Sequence, residues 1–397
     1  MITRLQNTPR DYAWGSVDLI PALLGTEPTG EPQAEVWYGA HPEWPATTGS
    51  GERFDAWLAA DPDDRLGDVS VAGHGEPGLP FLLKLLAAGE PLSIQAHPDL
   101  AGARAGFAAE EEAGVPAASP ERTYRDRLHK PEVIVAVGDR FDALAGFREP
   151  EVSAAAFGRL AGLLGHAPGL VALAGRLNGP ARPAQRLRDT VATVLGRAAE
   201  TDAALAELAA LAATDADDPD LATARLLAAA HPDDPGILVG LLMNRAELSP
   251  GEALFVDAGV IHAYLGGLGV ELMAASDNVL RGGLTTKHVD VAALQEVLDF
   301  RPSVPPLLVP TSPAPGVHVY APGLPDFALV RLEVAELTGR APVAGPAIAL
   351  CVRGRATLTA SDTAELAPGD AVYLGPGENA PLLAGDATVY IATVGAR

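Results

Sequence analysis

The feature that most constrains the fold is an abrupt change of character between residues 148 and 247. Phe157 is the single aromatic residue between Glu151 and Gly240, and the stretch is built largely from Ala, Leu, Arg and Glu. Within it, 184–198, 202–213 and 220–230 carry apolar residues at helical spacing. Asp218-Pro219 and Asp234-Pro235 each place an N-cap residue before a proline suited to the first helical position. These patterns predict a helical insertion of roughly half a dozen elements. On either side, short apolar runs such as 81–83 and 133–137 are bounded by Pro, Gly and Asp, as strands ending in turns are. The chain therefore reads as mainly β with a helical insertion.

At 397 residues the chain is too long for one ordinary core. Residues 1–147 are β-rich, with helices expected over 52–60 and over 100–112, the second announced by Pro98-Asp99. Strand character resumes over 252–256. The prolines between 302 and 315 predict a semi-rigid linker. From 316 onward the runs AIALCV, ATLTA, AVYL and ATVYIATV read as separate strands. Gly354-Arg355-Ala356 and Pro368-Gly369-Asp370 stand where a jelly-roll barrel would turn. Pro250-Gly251-Glu252, followed by Gly259, repeats that rhythm, so two related barrels are expected. The expected division is a catalytic barrel from 1–147 and 248–300, a helical insertion at 148–247, and a second barrel at 316–397. The insertion gathers no metal-ligand or acid–base residues, and its expected role is to cover.

The formal charge of −23, from 51 acidic and 28 basic residues, disfavours nucleic acid and anionic membranes as partners, and no basic stripe reverses it. Cys351 is the only cysteine, which excludes an internal disulfide and a thiolate metal site. The N-terminal stretch lacks a signal-peptide pattern, and no apolar run reaches membrane-spanning length. A cytoplasmic enzyme, monomeric and acting on a small molecule, is the expectation.

Three polar islands interrupt the strand patterns. In LSIQAHPD, residues 92–99, Gln95 and His97 are two apart and so share a strand face, with Ile94 and Ala96 on the other. In HKPEVIVAV, residues 129–137, Lys130 and Glu132 share a face by the same rule, and His129 points away. The third island, 258–287, offers His262, Tyr264, Glu271, Asp277, Arg281 and Lys287. Two histidines and a glutamate converging from separate strands make a divalent metal site, with the Gln95 amide as an unusual fourth donor. His41, His74, His166, His231, His288 and His318 lie in turns, in the helical stretch or beside polar runs, and read as structural or exposed. Lys84, Lys130, Arg281 and Lys287 all flank the ligands in sequence. Four cations beside one site in so acidic a chain suit an anionic substrate such as a phosphate monoester.

The motifs SIQAHPD at 93–99, HKPE at 129–132 and IHAYLGGLGVELMAASDNVLRGGLTTKHVD at 261–290 resemble the type I mannose-6-phosphate isomerases, as do YAWG at 12–15 and EVWYGAHP at 35–42. The resemblance spans nearly the whole chain. It implies two cupin-like jelly-roll barrels with an α-helical domain inserted in the first. It also implies one Zn2+ per chain, held by Gln95, His97, Glu132 and His262, with Arg281 essential to catalysis. Ser93, Lys84, Tyr264, Asp277 and Lys287 match positions that line the family's pocket, as do Lys130 and Glu271. The implied reaction interconverts mannose 6-phosphate and fructose 6-phosphate through a cis-enediol. Candidate bases are His129, Lys130 and Glu271, with Lys130 preferred to His129 on strand-face grounds. Asp11 replaces a common Asn, and the loop 282–286 departs from the usual pattern. Asn379 stands where a metal-binding cupin would carry a His, so no second metal is expected. Two other readings are a cupin-fold iron oxygenase, which a Gln ligand and flanking cations disfavour, and a sugar-phosphate-binding cupin without catalysis.

Overall fold

Two antiparallel sheets and a group of helices make up the computed structural model, which describes residues 1–69, 78–337, 339–343 and 345–395. His74 lies outside the described residues. The first sheet is centred on the long strands Glu132–Phe147 and His262–Ala274, which pair antiparallel along most of their length. His262–Ala274 also pairs with Phe81–Ala88, which in turn pairs with Glu35–Tyr38. The short strand Gln95–Ala96 sits between His262 and the Leu280–Arg281 strand, with Gln95 opposite both His262 and Arg281.

Alternation along these strands decides what faces where. Val133 and Val135 join Leu83, Leu85 and Val270 in a core that extends to Ile348, Leu350, Tyr373 and Tyr390 of the other sheet. Their neighbours Ile134 and Ala136 point the opposite way and pack with Leu86, Phe141, Leu254 and Tyr264. One face of the first sheet thus seals against the second sheet, while the other encloses an interior whose floor is apolar. The polar residues of the three islands occupy the open end of that interior.

Six helices lie between 148 and 242: Pro150–Leu164, Pro168–Leu177, Pro183–Leu195, Ala199–Ala212, Pro219–Ala230 and Gly236–Gly240. Four of the six begin with proline at N1 or N2. The Asp218 carboxylate caps one of them by accepting from the Asp220 and Leu221 amides. Leu160, Leu173, Leu187, Val191 and Leu227 are buried together with Ile94, Ala96, Leu280 and Leu284. The helices therefore press on the back of the two short strands that carry Gln95 and Arg281. The expected helix over 100–112 is present as Leu100–Glu112, capped by Asp99.

Four expectations change. Strand structure returns at Met243–Leu248, earlier than 252, because this segment continues the ladder against Phe141–Phe147. The proline-rich stretch does not bridge freely: the Phe255 amide donates to the Pro306 carbonyl at 2.9 Å and the Leu308 amide to the Ala253 carbonyl at 2.8 Å, docking it along a strand edge. Gly354 does not turn the chain. It lies inside one 13-residue strand, Ala347–Thr359, at φ +73°, where a bulge follows Cys351 and a Cβ would meet the Asp386 carbonyl at 2.0 Å. Finally, Ile2–Gln6 belongs to the second sheet, paired with Ala371–Leu374, so the chain's start completes the sheet formed by its end.

Candidate metal centre and active site

His97, Glu132 and His262 are all buried, and one donor atom from each lies within 4.8 Å of the others. Three local devices produce this. The Gln95–Ala96 strand hands His97 to a point just before the helix capped by Asp99. Glu132 begins the Glu132–Phe147 strand, opposite Val256 and Met273. His262 begins its own strand opposite Gln95.

The imidazole of His97 is fixed from behind. Its Nδ1 lies 2.7 Å from the Asn278 carbonyl oxygen, which can only accept, so Nδ1 carries the proton. Its Nε2 is then a bare lone pair, buried without a hydrogen-bond partner, 3.3 Å from Glu132 Oε1. Burial pushes this histidine's pKa down to about 4, against the pull of Glu132. His262 Nδ1 faces the Val260 carbonyl at 3.1 Å, and its Nε2 lies 3.4 Å from Glu132 Oε2. Gln95 donates its amide nitrogen to Ser93 Oγ at 3.1 Å, which orients the side chain with its oxygen free to ligate. Burial opposes ionisation of Glu132, yet Lys130, 2.9 Å away, and His97 hold its carboxyl well below the usual range. Two buried imidazoles and a carboxylate, with an orphaned nitrogen among them, fit a divalent zinc ion.

Beside the ligands is a small cavity of about 60 Å³, lined by Ser93, Gln95, Lys130, Glu132, Tyr264 and Glu271 among others. Lys84 is buried there between Glu271 at 3.1 Å and Glu35 at 3.4 Å, and lies 4.9 Å over the Trp37 ring. Burial raises the Glu271 carboxyl's pKa, and the Lys84 ammonium restrains it. Burial raises the Tyr264 hydroxyl well above its ordinary range, with Glu271 adding to the effect. Lys84 is therefore matched to carboxylates inside the site and is not a free cation for a phosphate.

A second group of cations is different. Arg281 is half-buried and Lys287 exposed, and among the described residues no carboxylate forms an ion pair with either. Burial lowers the Arg281 pKa and the nearby Arg125 lowers it further; burial, then Arg281 and Arg125, do the same for Lys287. Like charges thus stand near one another here with no carboxylate paired to Arg281 or Lys287 among the described residues.

Six further residues named from the sequence, five of them histidines, take the following settings. His129 faces away from the ligands, as the alternation pattern predicts, and its Nε2 meets Asp326, just before the Ala328–Glu333 strand of the second sheet, at 3.1 Å. It does not line the cavity, which removes it as the base. Asp277 pairs with His41 at 2.9 Å, so His41 has a carboxylate partner and is not simply a turn histidine, though neither residue lines the cavity. His288 flanks a narrow crevice beside Arg281. His231 and His318 have structural partners, the Pro91 carbonyl and Ser312. Glu35 and Arg125 were not anticipated. Glu35 could have been found, since Glu-x-Trp at 35–37 puts both side chains on one strand face; Arg125 stands in an irregular polar run with no period to place it.

A model of the phosphomannose isomerase type I catalytic domain matches residues 2–150. Proteins named mannose-6-phosphate isomerase from Escherichia coli K12 and Salmonella typhimurium LT2 are 35% and 36% identical to this chain over 385 residues, 95% of each partner. The chain belongs to the type I phosphomannose isomerase family. Family membership extends to the whole fold. A solved mannose 6-phosphate isomerase with zinc bound superposes with a TM-score of 0.87 at 32% identity, each chain fully covered. The apo form from Salmonella typhimurium gives 0.88 at 32% identity, covering all of this chain and 99% of that one. Among the described residues of this isomerase, no helix is long and apolar enough to cross a membrane.

Proposed function

We propose that the chain is a zinc-dependent aldose–ketose isomerase that interconverts mannose 6-phosphate and fructose 6-phosphate at the open end of the first sheet. The observation that carries this is the orphaned Nε2 of His97, buried among Glu132 and His262 beside a cavity lined with proton carriers. Gln95, His97, Glu132 and His262 would hold the zinc. When bound, the metal would supply positive charge near the substrate's C1 and C2 oxygens, where negative charge develops as the enediol forms.

The remaining work falls to side chains. A base must take the C2 proton and return it to C1, and Lys130 and Glu271 are the two cavity-lining groups suited to it by reach and chemistry. Lys84 keeps Glu271 from losing its charge entirely in a buried setting. Tyr264 and Ser93 present hydroxyls to the sugar, and Asp277 pairs with His41. Arg281 stays protonated and stabilises enediolate or phosphate charge, with Lys287 as the phosphate anchor. The two sheets are read as cupin-like jelly rolls, supported by the enclosed apolar floor of the first. The proposed catalytic unit is 1–147 with 248–300, the helical insertion 148–247 and the C-terminal barrel 316–397, with Ile2–Gln6 exchanged into the latter. A cytoplasmic monomer is the proposed setting.

The test is a coupled assay comparing mannose 6-phosphate with mannose, with and without a chelator, alongside C2 proton exchange in deuterated water. Chelator-sensitive turnover of the phosphate ester with exchange at C2 is expected. Sugar-phosphate binding without exchange would show a non-catalytic relative, and oxygen consumption would show an oxygenase.

A further inference from the structure

In the run Ser276-Asp277-Asn278 the most heavily bonded member is Asn278. This residue has no solvent exposure, and every polar group on its side chain is used. Its Oδ1 accepts from the Arg125 amide at 2.7 Å and from the Asp126 amide at 3.2 Å. Its Nδ2 donates to the Asp126 carbonyl at 2.9 Å and the Leu128 carbonyl at 2.8 Å. Asp126 answers by accepting from the Ser276 hydroxyl at 2.9 Å and the Asp277 amide at 2.8 Å. The irregular segment 125–128 has no strand ladder of its own, so this side chain replaces one.

Three parts of the active site meet at this residue. Its main-chain carbonyl accepts from His97 Nδ1 at 2.7 Å, setting the tautomer that aims Nε2 toward Glu132. Two residues later the chain forms the Leu280–Arg281 strand. The segment it clamps runs directly into Lys130 and Glu132. Upstream, Glu110 of the helix that follows His97 accepts from the Thr123 and Tyr124 amides at 2.8 Å, so the clamped segment is anchored at both ends. Thr123 and Arg122 line a narrow crevice with Arg281, and two residues on, the Arg125 guanidinium, which donates to the Ala117 carbonyl at 3.3 Å, lies close enough for its charge to act on Arg281 and Lys287.

We infer that Asn278 is a positioning residue that sets the distance between the metal ligands and the phosphate anchor, and that Arg125, held by its backbone on Asn278, is a third cation of that anchor beside Arg281 and Lys287. The inference rests on the isomerase reading above. Arg125 is exposed and its amide is the clamped group, so its side chain can be removed without disturbing the clamp. Asn278→Asp keeps the acceptor and loses the donors to Asp126 and Leu128, freeing the segment.

The test measures KM for mannose 6-phosphate, Ki for inorganic phosphate, kcat and zinc retention against a competing chelator. Arg125→Ala should raise both KM and Ki about tenfold, with a smaller change in kcat and unchanged zinc retention. Asn278→Asp should raise KM and Ki to a similar degree and also weaken zinc retention. The double variant should be no worse in KM than Asn278→Asp alone, because the freed segment no longer presents Arg125. Asn278→Ser offers a smaller change if Asn278→Asp does not fold, and the same three comparisons apply. A loss of thermal stability with KM and Ki unchanged, or KM effects that multiply in the double variant, would overturn the inference. A wild-type chain that does not turn over mannose 6-phosphate defeats the isomerase reading instead, and the anchor is then tested by the Kd of inorganic phosphate from titration calorimetry, which Arg125→Ala should still raise about tenfold.

Discussion

Replacing Lys84 with Met tests whether the buried charges of the site are matched as the geometry indicates. Lys84 is 6% exposed and lies 3.1 Å from Glu271 and 3.4 Å from Glu35, both buried. At an effective dielectric of about 20 each contact is worth roughly 5 kcal/mol of gross attraction, most of it offset by the cost of burying the charges. Removing only the cation leaves two buried carboxylates facing one another across the cavity. Glu35 keeps the Trp37 indole N–H at 2.8 Å, which moderates the loss on that side. The expected destabilisation is about 3–5 kcal/mol, the range for breaking a buried pair from one side. At roughly 2–4 °C per kcal/mol for a unit of this size, the thermal midpoint should fall by roughly 6–20 °C in circular dichroism or scanning calorimetry. The triple change Lys84→Met, Glu35→Gln, Glu271→Gln removes all three charges and should recover most of that stability while leaving the enzyme inactive. A Lys84→Met midpoint within about 2 °C of wild type, less than 1 kcal/mol, would refute the reasoning.

Arg281→Ala should lower kcat by about 10²–10³-fold, the scale for losing one preorganised charge-stabilising group, with zinc content unchanged by elemental analysis; zinc loss in this variant would show that Arg281 supports the ligands instead. Asp234 accepts from the Gly236, Leu284 and Thr285 amides at 2.6, 2.9 and 3.1 Å, tying the helical insertion to the loop that carries Lys287. Asp234→Ala should therefore raise KM for the sugar phosphate several-fold and cost about 1–3 kcal/mol in urea unfolding; an unchanged KM would detach the insertion from substrate binding.

Much of this was legible in the sequence because strand alternation is a hard rule. Lys130 meets Glu132 at 2.9 Å and His129 turns to Asp326, as a period of two would have it, although the strand itself begins only at Glu132 and the Gln95–Ala96 strand ends before His97. Helix signals were equally plain where Asp and Pro adjoin, as at Asp218-Pro219. What the sequence hid depended on long-range pairing. Ile2–Gln6 is an unremarkable strand pattern, and only its partner at Ala371–Leu374 assigns it to the second sheet. Gly354 reads as a turn because a left-handed glycine serves equally in a bulge, and the choice is made by the neighbouring strand Leu382–Thr393. The cations misled most. Lys84, expected to face an anionic substrate, neutralises buried carboxylates, and Arg125, in a segment without periodicity, gave no signal.

The central claim is that metal held by Gln95, His97, Glu132 and His262 is required for isomerisation. Its most direct test is to strip the protein with chelator, titrate zinc back, and follow bound metal and mannose 6-phosphate turnover in the same samples. Activity should be absent at the start and rise in proportion to zinc, reaching its plateau at about one ion per chain. Full turnover by the metal-free protein, or by a His262→Ala variant that binds no zinc, would contradict it.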